Sequence, residues 1–190
     1  MKRLNNYTTM KNVLLYGCMF FLLPFVNGQT NHHNVHKQST VNPDLIIKFS
    51  GGEGTKESPY ILSTLTDLKQ LADSVSFGKS SDESNNWSFN KYFVLSNDIT
   101  DDSLRIPIGT LSRPFQGNFD GKGFNISLAI DSESDYTGLF GYLLHANIQQ
   151  VVVSGYVIGN KYIGGISGYA EKSSISACTN TAVLSIQRQK

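Results

Sequence analysis

Gly138-Leu139-Phe140-Gly141-Tyr142 returns 27 residues later as Gly165-Ile166-Ser167-Gly168-Tyr169. The same offset sets Gly138 on Gly165, Gly141 on Gly168 and Tyr142 on Tyr169, then Ile148 on Ile175 and Val157 on Leu184. A constant offset of that size marks stacked structural repeats. Within one unit, β-rich runs such as Ile148 to Val153 and Tyr156 to Ile158 are broken by glycines, which permit positive φ or close backbone approach. No such unit can bury its apolar residues or pair its backbone alone, so it needs a neighbour above and below. The expected fold class is all-β, a right-handed parallel β-helix (solenoid) in which like positions stack in ladders. Val151-Val152-Val153 suits a strand with a fully buried inner face. Its alternatives are a buried helix, disfavoured by three β-branched residues and Gly155, and a hairpin sandwich.

Upstream, Phe119-Asp120-Gly121-Lys122-Gly123-Phe124 holds an Asp-Gly turn signal. Around it Phe119, Phe124, Ile126, Leu128 and Ile130 alternate with polar residues, as in two half-buried strands. Tyr92-Phe93-Val94-Leu95 reads as a buried strand ending in a Ser96-Asn97-Asp98 turn, and Gly78 to Phe89, polar and serine-rich, as a surface loop. Before that loop the limits of a helix at about 65–77 are legible. Thr64 and Asp67 form a capping box, Gly78 stands where the helix should stop, and Leu65, Leu68, Leu71, Ala72 and Val75 make one apolar face. This helix, within a capping region over residues 50–91, is expected to close the first rung; its rival role is to bind a partner.

Gly-Leu-Phe-Gly, then Tyr162-Ile163-Gly164-Gly165-Ile166-Ser167-Gly168-Tyr169 and Ile175 to Val183, resemble the GLUG-motif repeat of bacterial surface proteins, found beside adhesin-like and IgA-protease-like modules. Gly51-Gly52-Glu53-Gly54-Thr55 with Ser58-Pro59-Tyr60-Ile61, Leu95 to Ile99, and Pro107-Ile108-Gly109 with Phe119-Asp120-Gly121 resemble the lead-in of that family. The resemblance covers about residues 50 to 183 and implies repeats over 92–190. The family pattern expects another rung after Val183, whereas this sequence continues Leu184-Ser185-Ile186-Gln187-Arg188-Gln189-Lys190, so the stack is expected to be a C-terminally incomplete, truncated member. An open last rung would favour self-association.

At the N-terminus, Lys2, Arg3 and Lys11 precede an apolar run from Val13 to Val26, with Val26-Asn27-Gly28 at a plausible cleavage point, so residues 1–28 read as a signal peptide. The rival, a lipoprotein box at Leu15-Tyr16-Gly17-Cys18, puts bulky Tyr16 where a small residue is wanted. Cleavage leaves 13 basic against 15 acidic residues, a net charge near −2, and no later run is apolar enough to span a membrane. Basic residues are dispersed, which excludes a nucleic-acid stripe. Residues 29–44 are polar and almost without apolar content, and a flexible leader is expected over 29–49; His32, His33 and His36 lack a nearby carboxylate or cysteine to complete a metal site. Cleavage also leaves Cys178 as the only cysteine, read as a small core residue, with His145 the sole ordered base for a thiol nucleophile.

The sequence has no His-Glu-x-x-His, no Gly-x-Ser-x-Gly, no phosphate-binding glycine loop and no Cys-x-x-Cys. The acidic cluster Asp98, Asp101, Asp102 matches no calcium-loop spacing, and Asp98 and Asp101 are expected to bond turn amides. The expectation is a non-enzymatic exported repeat module, a scaffold or adhesion surface, secreted or at the cell surface and without cofactor or metal. Its structural residues are Gly117, Gly121, Gly138, Gly141, Gly165 and Gly168, with Phe115, Phe119, Phe140 and Ile166 as core rungs. Tyr142, Tyr162 and Tyr169 are the ligand-binding candidates, able to stack on sugar rings of a glycan or host extracellular matrix, or else on one another between rungs. The alternatives are a glycan-active hydrolase or lyase using Asp98, Asp120 or Asp131, which must pair on one groove, and a fragment without function.

Overall fold

The computed structural model describes residues 48–80 and 85–187. The expected signal peptide and the leader up to residue 47, with its three histidines, lie outside the described residues. These described residues form a parallel β-solenoid of about four turns, with one short helix among them. β1 (Tyr60–Leu62) and α1 (Leu65–Phe77) open it, followed by β2 (Tyr92–Leu95) and β3 (Ile99–Leu104). One full rung comprises β4 (Asn118–Asp120), β5 (Asn125–Asp131), β6 (Tyr136–Thr137) and β7 (Phe140–Leu144). The next comprises β8 (Asn147–Gln149), β9 (Val152–Gly159), β10 (Tyr162–Ile163) and β11 (Ser167–Glu171). The last has β12 (Ser174–Ser176), β13 (Thr179–Asn180) and β14 (Val183–Ile186).

Each strand pairs in parallel with its counterpart one rung away, making sheets in the orders β1-β2-β4-β8-β12 and β3-β5-β9-β13, with β14 also on β9, and two-stranded β6-β10 and β7-β11. The repeat offset is the register itself: Tyr142 lies on Tyr169, Ile148 on Ile175 and Val157 on Leu184. One inner ladder runs Tyr60, Phe93, Phe119, Ile148, Ile175 through five strands. Along the axis Phe93, Phe115, Phe140 and Phe119 are buried, with successive ring centroids 5.6, 4.9 and 5.4 Å apart. Each such side chain is worth about 1.5–3 kcal/mol on burial. Ile166, in the last complete rung, is only partly covered.

Two departures from the 27-residue offset have local causes. Phe119 lies on Ile148, 29 residues on, because the turn through Gly121 and Lys122 holds two residues more than its successor at Gln150. Ile99 pairs with Ile126 and Leu104 with Leu128, so β3 bulges outward at Asp101 and Asp102. Corners are made where glycine was not expected. His145 (φ 52°) and Lys172 (φ 47°) hold equivalent corners in successive rungs, as do Gln150 (φ 51°) and Ala177 (φ 53°). This left-handed conformation costs an L-residue roughly 1–2 kcal/mol. The inter-rung bonds that fix the corner, His145 N to the Glu171 carbonyl (3.1 Å) and Gln150 N to the Ser176 carbonyl (3.0 Å), offset that cost.

The six glycines singled out in the sequence all serve close approach rather than positive φ. A Cβ at Gly141 would stand 2.4 Å from the Gly109 carbonyl oxygen, and one at Gly168 2.4 Å from the Thr137 nitrogen. Conformational freedom matters at Gly155 inside β9, where φ is 91° and a Cβ would meet the Leu128 carbonyl oxygen at 2.0 Å.

The helix has the expected bounds and capping box, and it ends at Gly78 in an extended conformation. Leu68, Leu71, Ala72 and Val75 share one buried cluster with Leu62, Leu95 and Leu104, and α1 lies against β3, covering the first rung. Asp67 is buried and accepts from Ser50 N and Oγ, Ser63 N, and Thr64 N and Oγ1 at 2.8–3.0 Å. Two expectations need correction here. Phe49, assigned to the leader, is buried against Tyr60, Trp87 and Phe93. The supposed surface loop ends in buried Asn86, Trp87 and Ser88. Asn86 donates to the Val75 carbonyl near the end of α1 and Gln116 N donates to Ser88 Oγ, so these polar groups are satisfied while Trp87 joins the aromatic cluster.

Candidate functional site

Four tyrosines meet on the outside of the solenoid where β6 and β10 adjoin β7 and β11. Tyr136 stacks on its register partner Tyr162 at 5.0 Å and 7°, and Tyr142 lies on Tyr169 at 5.0 Å and 30°. Edge-to-face contacts tie the two ladders together, Tyr136 to Tyr142 at 5.4 Å and Tyr162 to Tyr169 at 5.9 Å. Stacking at the rung spacing turns the Tyr136 and Tyr162 ring normals along the solenoid axis. Among the described residues no ring covers the second face of Tyr162, which points along the ladder toward the last rung.

The three tyrosines expected from the sequence are brought together, but not equivalently. Tyr142 is only 7% exposed and touches both Tyr136 and Tyr169, whereas Tyr162 and Tyr169 are 48% and 41% exposed. Tyr142 acts as the anchor: its hydroxyl donates to Glu171 Oε2 at 2.9 Å, and burial together with that carboxylate pushes the phenol up to about 12. Beside the rings, Asp135 accepts from Lys161 Nζ (2.8 Å) and Asn160 Nδ2 (2.6 Å); Lys161 holds its carboxyl below the usual range. Flat aromatic faces bordered by a carboxylate, an amide and an ammonium suit a ligand with apolar faces and hydroxyl edges. Tyr136 escaped the sequence reading because it lies 26 residues from Tyr162, one short of the repeat offset.

A second surface is a groove of about 340 Å³ on the outer face of β2, β4 and β8. Register places Tyr92, Asn118 and Asn147 in one column and Val94, Asp120 and Gln149 in the next. Asn147 Nδ2 donates to Asn118 Oδ1 at 2.9 Å, an amide ladder between rungs. Asp120 accepts from Lys122 Nζ and from Lys122 N, each at 2.9 Å. Burial alone would raise its pKa, but the bonds from Lys122 and Gln149 outweigh that and hold the carboxyl below its ordinary value. Asp120 is thus kept ionised, the state of a base or a hydrogen-bond acceptor and not of a general acid.

The three carboxylates considered for hydrolysis are each engaged elsewhere. Asp98 accepts from Asn125 N at 2.8 Å, bracing the start of β5 from the rung below. Asp131, at the other end of β5, accepts from Gln187 Nε2 at 3.2 Å. Six residues of strand separate these sites, roughly 20 Å. Neither lines the groove that holds Asp120. Asp102, rather than Asp101, bonds a local amide, that of Ser103. Among the described residues no group of three or more His, Cys, Asp or Glu could hold a metal. Cys178 is partly buried, with Sγ 3.3 Å from the Ser176 carbonyl, so it edges the core without being enclosed by it.

No family model matches this chain, and no solved structure matches it. Two curated proteins are similar to parts of it. Halomucin of Haloquadratum walsbyi is 29% identical over 168 residues, covering 69% of this chain and 2% of that protein. A protein of Evansella cellulosilytica, named as a Gly-rich membrane protein, is 30% identical over 104 residues, covering 50% of this chain and 11% of its own length. Among the described residues no helix is long and apolar enough to cross a membrane. The chain is a parallel β-solenoid that spans a small fraction of the length of the curated relatives it matches.

Proposed function

We propose that this chain is an exported, non-enzymatic repeat module of GLUG type that serves as a rigid scaffold at the cell surface and adheres to glycans through its tyrosine ladders. The solenoid supports the scaffold part, since a stack bonded rung to rung and filled by a phenylalanine column resists bending and presents its outer residues in fixed rows. Similarity to segments of Halomucin and of a membrane-named protein agrees with a place at the cell boundary. The observation that carries the adhesive part is the pair of half-exposed rings, Tyr162 and Tyr169, held rigidly by Tyr136 and Tyr142 beneath them. A pyranose ring laid on Tyr162 would take the position of the next ring in the ladder, with Asp135, Asn160 and Lys161 within reach of its hydroxyls.

The test is a glycan and extracellular-matrix binding screen on monomeric residues 29–190. Saturable binding is expected, and Tyr162→Ala should weaken it by roughly 2- to 10-fold, the worth of one aromatic contact. Tyr142→Phe, which keeps the ring and loses only the buried hydroxyl, should leave affinity within about twofold. Absence of binding in the screen, or binding indifferent to Tyr162→Ala, would remove the adhesive role and leave the scaffold alone.

A further inference from the structure

The groove on the outer face of β2, β4 and β8 lies where the regular repeat is interrupted from two sides. Its floor is two columns, Tyr92, Asn118 and Asn147 in one and Val94, Asp120 and Gln149 in the other. The columns stand roughly 7 Å apart and successive rungs roughly 5 Å apart, so polar side chains recur at short, fixed steps along the axis. Lys56 and Pro59 reach the groove from the lead-in loop ahead of β1. Lys122 reaches it from the turn after β4, the one that holds two residues more than its successor. Because the strands are parallel, these two additions flank opposite strand ends.

β2, β4 and β8 are each bonded to a strand on both sides, so this face has no open strand edge to which an extended peptide could add. Recognition here falls to side chains. Asn147 Nδ2 donates to Asn118 Oδ1 at 2.9 Å, and Asn118 Nδ2 donates to the Lys91 carbonyl at 3.4 Å. A carboxamide has two N–H donors and two acceptor sites, so both asparagines keep a donor and an acceptor for a ligand. That mixture suits hydroxyls, which donate and accept at once. Half-buried Tyr92, with Pro59 and Val94, adds apolar surface for the C–H face of a sugar ring. The volume, about 340 Å³, is small for a ligand site and fits a short saccharide segment rather than a folded partner. Charge then narrows the class. Two ammonium groups line the groove against one carboxylate: Lys122 Nζ is held on Asp120 Oδ2 at 2.9 Å, whereas exposed Lys56 has no ion-pair partner among the described residues. Glu57, next to Lys56 in the chain, does not line the groove. We propose that this groove is a second carbohydrate site, separate from the tyrosine ladders, that takes an acidic saccharide. Its acid group meets Lys56, its hydroxyls the Asn118–Asn147 pair and its apolar face Tyr92. The site stands whether or not the tyrosine ladders bind glycans.

The test is calorimetric titration of residues 29–190 with tetragalacturonate, with its methyl ester as the neutral counterpart, and with a sulfated galactan tetrasaccharide. At least one acidic probe should bind roughly 2- to 5-fold more tightly than the ester, a preference that salt weakens. The carboxylated and sulfated arms tell which acid Lys56 accepts. Lys56→Gln should erase the preference for acid, and Asn147→Ala should weaken acidic and neutral probes alike by about 2- to 10-fold, the worth of a hydrogen bond. Both side chains are exposed, so the unfolding midpoint should stay put. In the unsubstituted chain the side-chain amide resonances of Asn118 and Asn147 should shift as the probe is added. Lys172→Gln and Tyr162→Ala should leave this binding unchanged, which separates it from attraction to any surface lysine and from the tyrosine ladders. No binding of either acidic probe at millimolar concentration, equal affinity for acid and ester, or unmoved amide resonances would each overturn the proposal. So would indifference to Lys56→Gln or Asn147→Ala, or loss with Lys172→Gln or Tyr162→Ala. Tetragalacturonate binding that needs Lys56 while every probe ignores Tyr162→Ala would remove the ladder reading and keep this one.

Discussion

At the first rung of the solenoid, Leu68, Leu71, Ala72 and Val75 of α1 lie over the core and Gly51 occupies the free strand edge; at the last rung, Ile175, Val183, Leu184 and Ile186 face solvent. The two ends share the same ladders. Ile148 and Ile175 are the same residue type at the same register, one enclosed and the other nearly half exposed. In a stack, burial belongs to the rung that lies above a residue rather than to the residue. The end that has a lid is also the end with polar wiring: Asp67 gathers the Ser50, Ser63 and Thr64 donors that hold the helix on the rung.

The sharpest way to break this comparison is to truncate both members of the ladder pair. Ile148→Ala should cost about 2–5 kcal/mol in urea unfolding, the range for a core isoleucine. Ile175→Ala should cost less than about 0.5 kcal/mol in the monomer, as a surface change does. Equal costs would mean that the last rung is covered in solution.

A smaller effect is expected from Asp67→Asn, which keeps the shape but replaces charge-assisted bonds by neutral ones and must turn an amide donor toward backbone donors. It should cost about 1.5–3 kcal/mol and should raise amide exchange in α1 and β1 ahead of the rest. Uniform loosening of all rungs would show that the lid and the stack unfold as one unit.

The smallest effect is a pH response confined to the lidded end. Burial alone would raise the pKa of Asp67, but the bonds from Ser50, Ser63 and Thr64 outweigh it and hold the carboxyl below the ordinary aspartate value. A depressed folded pKa contributes stability that is fully present above the unfolded value, near 3.9, and is lost as pH falls through the lower folded one. After correction for intrinsic exchange, α1 should therefore lose protection below about pH 4, and Asp67→Asn should abolish that step. No carboxylate lies between Lys172 and Arg188, so β12–β14 should show no step of their own.

Much of this architecture was legible because a register is a sequence distance. Tyr142 and Tyr169, Ile148 and Ile175, and Val157 and Leu184 keep one offset and meet in space. The helix was legible for a local reason, since capping box and apolar face lie within fourteen residues of chain, Thr64 to Phe77. The candidate surfaces were legible only in part. Tyr136 and the Asn118–Asn147 pair lie at offsets of 26 and 29, where one turn is shorter and another longer than the repeat allows. The corners at His145, Lys172, Gln150 and Ala177 carry no residue signal, because the inter-rung bonds and not the side chains select their conformation. Asn86 and Trp87 looked like loop residues because their partners, Val75 and the Phe49–Tyr60–Phe93 cluster, come from other parts of the chain.

The sequence by itself determined the repeat, the strand ladders, the lid and the residue types that fill the core, all consequences of periodicity and of bonds made within a few residues. Tertiary structure alone decided which tyrosines are anchors and which are exposed, that Asp98, Asp120 and Asp131 stand apart, and that Ile148 is enclosed where Ile175, its partner in the last described rung, is not. Those depend on what stacks above each residue, and in a solenoid the neighbour above comes from a full turn of chain away.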